Sequence, residues 1–374
     1  MLTIAIPQLY HGASGKKGAY NRQEVGLARA FAALGCRAVV LYPAPGAAAP
    51  EKEELEPNVR IWYLPARAFG VNAFYKSWQV LLAEGVDAVH LMGDNSLAVP
   101  GLYRFCRRHG IFLYNQLGAV QSAAGSAAVR CVMDLLCRRN LAVYRKTPTF
   151  AKTPALAAEL EGKGVPCSGV LPVGLDTAII PLAPGTKAEA RQALGLLAEG
   201  EAQYLIFVGR LDAYKRPLDL APLLAALPQN WHAVIIGDGA QRTALHAALE
   251  QAGVLRRCVL IESLPNTQVQ LYYHACDVFV NLSDKEIFGM SLLEAMYAAC
   301  VPVARHAPGP DFIIEDGRCG LLAGEPVAEV AAAVLRAAAR PDLAEAAQKR
   351  ICDNFLWIDS AEKALVMLGE HGVR

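Results

Sequence analysis

Short apolar runs alternate with helical patterns along the whole 374-residue chain. The alternation runs through the first half and begins again in the second half. Continuous apolar runs are typical of strands buried on both faces, and the helical segments between them favour parallel sheets. Helical patterns occur, for example, at 24–34, 217–227 and 242–251. The predicted strands are 2–7, 38–42, 59–63, 88–92, 111–115, 149–152 and 169–173 in the first half, then 204–208, 233–236, 259–262, 278–282 and 301–304.

This repetition predicts an α/β fold with two Rossmann-like, doubly wound parallel-sheet domains. We expect residues 1–178 to form the first domain and 179–355 the second, with the Pro- and Gly-rich segment 175–187 as the linker. A C-terminal helix at about 356–374 could pack back onto the first domain. Ligands of such folds bind outside the carboxyl ends of strands and between domains, so a ligand cleft between the two sheets is predicted.

Formal charge is divided unevenly, although the total is only +1. Residues 1–178 hold 19 Lys and Arg against 12 Asp and Glu, and residues 179–374 hold 17 against 23. Aromatic-flanked basic helices can lie on anionic membranes, although solvated helix faces are the plainer interpretation. No nucleic-acid recognition motif accompanies the charge, so no such partner is expected. The basic residues concerned are Arg104, Arg107, Arg108, Arg130, Arg138, Arg139, Arg145 and Lys146.

The ten cysteines indicate a reducing compartment. None has the two-residue spacing of a zinc or redox pair, and most lie in apolar runs, as expected for buried free thiols. The N-terminal segment has no basic region before its apolar run, and the longest uncharged stretch, 110–129, contains several polar side chains. These features predict a cytoplasmic protein. The basic helices of the first half would add peripheral contact at the inner face of the membrane.

The segment 281–302 carries two glutamates around a predicted helix start. Glu286 lies in the loop at the carboxyl end of a strand, and Glu294 about one turn inside the following helix. The amides around Phe288, Gly289 and Met290 would face an anion there. Such an arrangement could hold a nucleotide sugar, and a capped helix with two solvated glutamates is the structural alternative.

The segment 207–217 places two cations after a strand. Arg210 and Lys215 follow Gly209, and a guanidinium with an ammonium group suits a diphosphate. Arg216 is expected to be solvated. A strand followed by a tight turn at 236–239 is a weak signal alone. The loop at 12–18 matches neither the dinucleotide fingerprint nor the P-loop, which disfavours a dehydrogenase or a kinase.

Together these motifs resemble the retaining group 1 glycosyltransferases of family 4, which have the GT-B fold. The similarity rests on Val-Gly-Arg…Lys at 208–215, Ile-Gly-Asp-Gly at 236–239, the glutamates at 286 and 294 around Phe-Gly, and Pro-Val at 302–303. It continues through 315–322, and 171–176 looks like the segment that closes the first domain of such enzymes. The resemblance is strong from about 170 to 325 and looser before it.

The resemblance implies a role for each motif. Arg210 and Lys215 would hold the donor diphosphate as the nucleotide leaves, Glu286 would contact the transferred sugar and Glu294 the ribose. No metal or other cofactor is expected, since there is no Asp-x-Asp motif and the two cations could replace a metal. The further donor-binding residues that it implies are Gly15, Gly18, Gly209, Gly237, Ser263, Leu264, Pro265, Phe288, Gly289, Met290 and Ser291.

The first half departs from the family pattern. The family commonly has a histidine after the strand that here ends with Asn115 and Gln116, and no histidine follows it in this chain. Either side chain could make the polar acceptor contact without a charge. His90 is the fallback candidate, and a structural hydrogen bond is the more common role for such a residue.

The predicted activity is transfer of a hexose from a UDP-sugar, or secondarily a GDP-sugar, with retention of configuration. The acceptor would be a glycan or lipid-linked molecule in cell-surface polysaccharide or glycoconjugate synthesis. Two alternatives stay open, the first of them because of the altered first half. One is a non-catalytic nucleotide-sugar-binding partner subunit of a transferase, and the other is a nucleotide-sugar epimerase on the same fold.

Overall fold

The structure, a computed structural model, describes residues 1–11, 22–121, 127–196 and 202–373, with the backbone alone for 127–130. The chain forms two compact units. Unit 1 comprises Met1–Asp176 and Leu356–Arg374, and unit 2 comprises Thr177–Phe355. The predicted loop residues Gly15 and Gly18 lie outside the described residues.

Unit 1 has strands on the predicted parallel pattern with helices between them. Its strands are β1 (Thr3–Pro7), β2 (Arg37–Pro45), β3 (Glu51–Glu56), β4 (Val59–Phe69), β5 (Asn72–Tyr75), β6 (Ala88–Leu91), β7 (Phe112–Leu117) and β8 (Thr149–Ala151). Its helices are α1 (Gln23–Ala33), α2 (Gln79–Ala83), α3 (Val99–His109), α4 (Ala127–Tyr144) and α5 (Pro154–Gly162), with α14 (Trp357–Glu370) at the C-terminus.

The strand order in unit 1 is β3-β4-β2-β1-β6-β7-β8, with β5 paired to β4. The pairs β3/β4 and β4/β5 are antiparallel, and the other ladders are parallel. Central strands such as Ala38–Leu41 in β2 are fully buried, as expected where helices cover both faces. Helix α14 packs against α1, so the end of the chain completes this unit.

Unit 2 repeats the doubly wound plan with a smaller sheet. The strands are β9 (Gln203–Val208), β10 (Trp231–Ile236), β11 (Cys258–Ile261), β12 (Val278–Asn281), β13 (Val301–Arg305) and β14 (Leu321–Ala323). The helices are α6 (Lys187–Ala193), α7 (Leu220–Ala226), α8 (Arg242–Gln251), α9 (Asn266–Ala275), α10 (Met290–Tyr297), α11 (Pro308–Ile313), α12 (Val327–Ala338) and α13 (Asp342–Asn354).

The six strands of unit 2 are all parallel, in the order β11-β10-β9-β12-β13-β14. This order reverses direction between β9 and β12, which is the position where open α/β sheets bind ligands. The loops that follow β9 and β12 therefore lie side by side at the carboxyl edge of the sheet. They carry Lys215 and Glu286, respectively.

The structure differs from the sequence prediction in five segments. β3, β5 and β14 were not predicted, and the predicted strand 169–173 forms only an isolated bridge between Val170 and Ala151. The segment predicted as one helix at 217–227 begins instead as a 3₁₀ turn, Pro217–Asp219, before α7. Among the described residues, no helix has the length and apolarity that crossing a membrane requires.

Candidate active site in unit 2

An ion pair joins the two loops at the carboxyl edge of the unit 2 sheet. Lys215 Nζ contacts Glu286 Oε2, and Asn281 at the end of β12 donates from Nδ2 to the same oxygen at 3.4 Å. The side chains of Lys215 and Glu286 are only 18% and 8% exposed. Two residues that the sequence separates by 71 positions thus share one partly buried site.

Tyr214 fixes the two loops against each other. Its hydroxyl donates to the Lys285 carbonyl at 2.6 Å and accepts from the Ile287 amide at 3.3 Å. The Ser283 hydroxyl donates to the Tyr214 carbonyl at 2.7 Å. Burial, followed by the negative charge of Glu286, raises the pKa of Tyr214 to about 12, so the phenol keeps its proton. Tyr214 was not predicted, and its position beside Lys215 was the only signal.

Arg210 lies in the same loop but is far more accessible. Its side chain is 74% exposed and pairs with Asp212 at 3.1 Å, where surface ion pairs contribute little. The structure therefore brings Lys215 and Glu286 together and leaves Arg210 able to change its rotamer toward a ligand.

Of the two predicted glycines at strand ends, Gly237 is required by close backbone approach, whereas a Cβ on Gly209 would make only ordinary contacts with the Lys215 side chain. The Gly209 amide donates to Ile236 O at 3.0 Å, and the Gly237 amide donates to Ile261 O at 2.9 Å. A Cβ atom on Gly237 would lie 1.9 Å from Gly209 O, so no other residue fits without moving the backbone. These glycines bring neighbouring strand ends together below the site.

The start of α10 lies directly after Glu286. Gly289 has φ +101° at the N-cap, and among the described residues no side chain caps this helix. The first amides of a helix have no intrahelical acceptor, so those of Met290 and Ser291 are suited to an anion. Phe288 is buried, and its carbonyl would lie 2.2 Å from a Cβ on Gly309, so α11 holds this loop closely.

Glu294 is almost completely buried on α10 and faces α9. Asn266 Nδ2 donates to its Oε1 at 3.1 Å, and the Tyr273 hydroxyl donates to its Oε2 at 3.3 Å. The carboxylate thus connects α10 to the start of α9, where Pro265 is the N-cap residue. Ser263, Leu264 and Pro265 form the short connection between β11 and α9, with Ser263 and Pro265 exposed.

Two arginines beside the site have unexpected surroundings. Arg216 was predicted to be solvated, but it pairs with Asp219, Asp284 and Glu325 at 3.0–3.3 Å. Arg305 at the end of β13 is 1% exposed, and its Nη1 donates to Asp219 at 2.6 Å and to Leu282 O at 2.9 Å. Arg305 ties the turn after Lys215 to the end of β12. Its presence in an apolar run was the signal that sequence reasoning missed.

The three acceptor-side candidates lie inside unit 1 with no exposed surface. His90 Nε2 lies 3.1 Å from Gln116 Oε1, and Gln116 Nε2 donates to Leu171 O and Pro172 O. Asn115 Nδ2 donates to the hydroxyls of Thr147 and Thr149. The arrangement accounts for all three as internal hydrogen-bonding groups and gives no support to an acceptor contact.

Comparisons with known proteins agree with this architecture. Residues 190–351 match the family of glycosyl transferases group 1. D-inositol 3-phosphate glycosyltransferase 2 of Catenulispora acidiphila is 26% identical over 370 residues, covering 89% of this chain and 85% of the relative.

Two solved structures share the fold. Sucrose-phosphate synthase from Thermosynechococcus elongatus has a TM-score of 0.78 at 19% identity, with 99% of each chain covered. Anabaena HepE, solved in complex with UDP and glucose, has a TM-score of 0.73 at 19% identity, covering 99% of this chain and all of that one. The two units therefore define a GT-B architecture. The similarity to the group 1 glycosyltransferases covers residues 190–351, within unit 2.

Proposed function

We propose that this chain is a retaining glycosyltransferase of family 4 that transfers a hexose from a UDP-sugar, with a GDP-sugar as the second choice. The acceptor is a glycan or a lipid-linked molecule. The observation that carries the proposal is the Lys215–Glu286 pair beside the uncapped start of α10. Such a donor carries phosphate groups, which a cation and helix amides can bind, and sugar hydroxyls, which a carboxylate can accept hydrogen bonds from. All three kinds of group lie within this one small site.

In this proposal the donor separates the Lys215–Glu286 ion pair. Lys215 Nζ moves to the diphosphate with Arg210, while the Glu286 carboxylate accepts hydrogen bonds from the sugar hydroxyls. The bond from the anomeric carbon to the diphosphate then breaks as the bond to the acceptor oxygen forms on the same face. The acceptor proton passes to a donor phosphate oxygen. The two cations stabilise the negative charge that develops on the leaving group.

We propose that the protein needs no metal or other cofactor, because Arg210 and Lys215 supply the positive charge. Its ten cysteines are all free thiols, which suits a reducing cytoplasm. The basic unit 1 would meet an anionic membrane from that side. Similarity to a D-inositol 3-phosphate glycosyltransferase supports glycosyl transfer as the class of reaction.

The first experiment is a thermal-shift series with UDP-, GDP- and ADP-sugars, followed by donor turnover with the preferred one. A ligand that binds the folded state raises the melting temperature by mass action. We expect Lys215→Ala and Glu286→Ala to reduce turnover by at least about a hundredfold, the scale of losing one preorganised charge contact. Both variants should keep the far-ultraviolet circular dichroism of the parent.

The matched control is Lys349→Ala, because Lys349 is 74% exposed and its one ion pair among the described residues is with Asp353 of the same helix, α13. It should retain parental turnover. Near-parental turnover in folded Lys215→Ala or Glu286→Ala would refute the proposed roles. Donor binding without any turnover, over a broad set of acceptors and water, would favour the non-catalytic partner subunit.

A further inference from the structure

Unit 1 contains a pocket that is lined by none of the predicted site residues. It has a volume of about 380 Å³ and is bounded by β5, α3 and α4. Phe74, Trp78, Leu97 and Leu136 provide apolar wall, and the volume lies in the range of small-molecule sites. Arg104 of α3 and Arg139 of α4 also line it, and both residues are exposed. The pocket thus combines an apolar interior with two accessible cations.

An exposed apolar stripe on α4 adjoins this pocket. Val132, Leu135 and Leu136 are 58%, 60% and 40% exposed. A helix of a globular protein normally turns such an apolar stripe toward the core. Their spacing of three and four residues places them on one side of the helix. Leu136 belongs to both features, so stripe and pocket form one continuous apolar surface.

Basic side chains outnumber acidic ones around this surface, where Asp134 of α4 lies between Val132 and Leu135. Arg104, Arg107 and Arg108 on α3 and Arg138 and Arg139 on α4 are all exposed. None of the five forms an ion pair with a described residue. Arg104 Nε donates to Pro100 O at 3.2 Å, which holds its side chain against the first turn of α3 beside the pocket. Exposed arginines around an apolar surface are complementary to an anionic group attached to an apolar one.

We propose that this surface binds an anionic phospholipid of a membrane. The α4 stripe would enter the boundary between head groups and acyl chains, the pocket would hold the upper part of one chain, and Arg104 and Arg139 would bind the phosphate. An uncharged apolar ligand would leave the arginines unused, and free phosphate would leave the aromatic wall unused. The inference deepens the membrane contact of the proposed function by naming its ligand and its surface.

Gly101 offers a variant that closes the pocket without disturbing the fold. It lies within α3, is exposed, lines the pocket and has no atom within 4 Å of an added Cβ. Helix interiors favour residues other than glycine, so substitution there should not destabilise α3. Gly101→Phe would fill the pocket, and Gly101→Ala is its matched control because a methyl group leaves most of the volume open.

The pocket is tested with monomeric dihexanoyl-phosphatidylglycerol as the probe, and glycerol 1-phosphate as the probe without chains. We expect the parent and Gly101→Ala to bind the lipid saturably by calorimetry, while Gly101→Phe weakens binding at least about tenfold, the effect of losing a well-filled apolar contact. Equal affinity for glycerol 1-phosphate, or unchanged lipid binding by Gly101→Phe, would overturn the pocket assignment.

The membrane surface is tested by pelleting the full chain with vesicles of phosphatidylcholine alone or with about one part in four phosphatidylglycerol. Binding should need the anionic lipid, and Arg104→Ala/Arg139→Ala should weaken it about thirtyfold, since one basic residue near such a surface is worth about fivefold. Leu135→Ser/Leu136→Ser should weaken it also. Lipid binding without vesicle binding would show a site for a free amphiphile and would overturn the membrane assignment.

Arg67→Ala/Val366→Ser is the matched control, because it removes one exposed basic and one exposed apolar side chain elsewhere in unit 1. It should bind vesicles like the parent. All variants are also tested for the thermal shift with the nucleotide sugar, which reports on unit 2. If the nucleotide sugar does not shift the melting temperature of the parent, the proposed donor is refuted. If the parent shows that shift but does not bind anionic vesicles, this inference alone is refuted.

Discussion

His90 lies in β6 with its imidazole completely buried in unit 1. Gln116 Nε2 already donates to two carbonyls, so its Oε1 is an acceptor and His90 Nε2 carries the hydrogen between them. His90 Nδ1 has no hydrogen-bond partner among the described residues. Burial lowers the pKa of His90 to about 3, so the ring is neutral in the folded protein at physiological pH.

This burial predicts acid-dependent loss of stability. The unfolded His90 has a pKa of about 6.5 and takes up a proton first as pH falls, so its contribution is intact above pH 6.5 and is lost between pH 6.5 and about 3. At pH 5 the cost should be about 2 kcal/mol of unfolding free energy. Urea unfolding of the parent and His90→Gln at pH 8 and pH 5 measures this difference.

The buried His90 should account for more of the pH dependence than an exposed histidine. His90→Gln is expected to lose less stability than the parent between pH 8 and pH 5, whatever its stability at pH 8. His109→Gln, which changes an exposed histidine of the same unit, should follow the parent. Identical pH dependence in parent and His90→Gln would contradict the assigned pKa.

The residue types at the candidate site were accessible to sequence reasoning, but their pairing was not. Lys215 and Glu286 stood in recognisable strand-to-helix loops, while their contact depends on β9 and β12 being neighbours in the sheet. Arg305 was not predicted, because a guanidinium in an apolar strand is stable only through Asp219, whose proximity arises from tertiary folding. The burial of Asn115 and Gln116 likewise follows from contacts with distant segments of unit 1.

At the level of elements, apolar continuity predicted the central strands well. The charged segment of β3 (Glu51–Glu56) was missed, because it lies at the sheet edge and needs no apolar face. Conversely, 169–173 has apolar residues but also Gly169 and Pro172, and it forms a single bridge. Proline lacks the amide hydrogen that a strand ladder requires, so apolar residues alone were not sufficient to predict a strand in this segment.

The start of α10 gives a prediction at the level of one element. Gly289 has φ +101°, and an added Cβ would lie 3.3 Å from Glu286 Cγ. We expect Gly289→Ala to cost about 1 kcal/mol of unfolding free energy through backbone strain, and also to weaken donor binding because the loop carrying Glu286 must shift. Urea unfolding and donor titration measure the two effects separately.

Gly253→Ala is the matched control, because Gly253 has φ +70° after α8 and an added Cβ there meets no atom within 4 Å. It should lose similar stability and keep the donor affinity of the parent. If both variants lose affinity equally, strain anywhere in unit 2 would explain the effect, and the start of α10 would have no special role.

Charge and packing both divide the whole molecule into the same two units. Unit 1, including its C-terminal helix, holds 21 Lys and Arg against 15 Asp and Glu, while unit 2 holds 15 against 20. Each unit has its own apolar core, around Leu41 and Leu91 in unit 1 and around Leu205 and Trp231 in unit 2. The basic surface and the candidate donor site therefore belong to bodies that can differ in stability.

Helix α14 allows that difference to be measured. A Cβ on Gly26 of α1 would lie 2.6 Å from the Trp357 ring, and one on Gly174 would lie 2.2 Å from the Trp357 backbone nitrogen. Trp357 is 3% exposed, so Trp357→Ala should leave a cavity and cost unit 1 about 3–5 kcal/mol. Amide hydrogen exchange should show lost protection in β1 and β2 with little change in β9 and β10.

Donor binding measures the stability of unit 2 in the same variant by an independent method. Unit 2 holds the candidate site, so a nucleotide sugar should still raise its unfolding temperature in Trp357→Ala by mass action. Val366→Ala is the control on the same helix, because Val366 is 64% exposed and its loss should leave protection in both units unchanged. Equal loss of protection in β1 and β9 would show that the two units unfold as one cooperative body. Each core would then depend on the other for its stability.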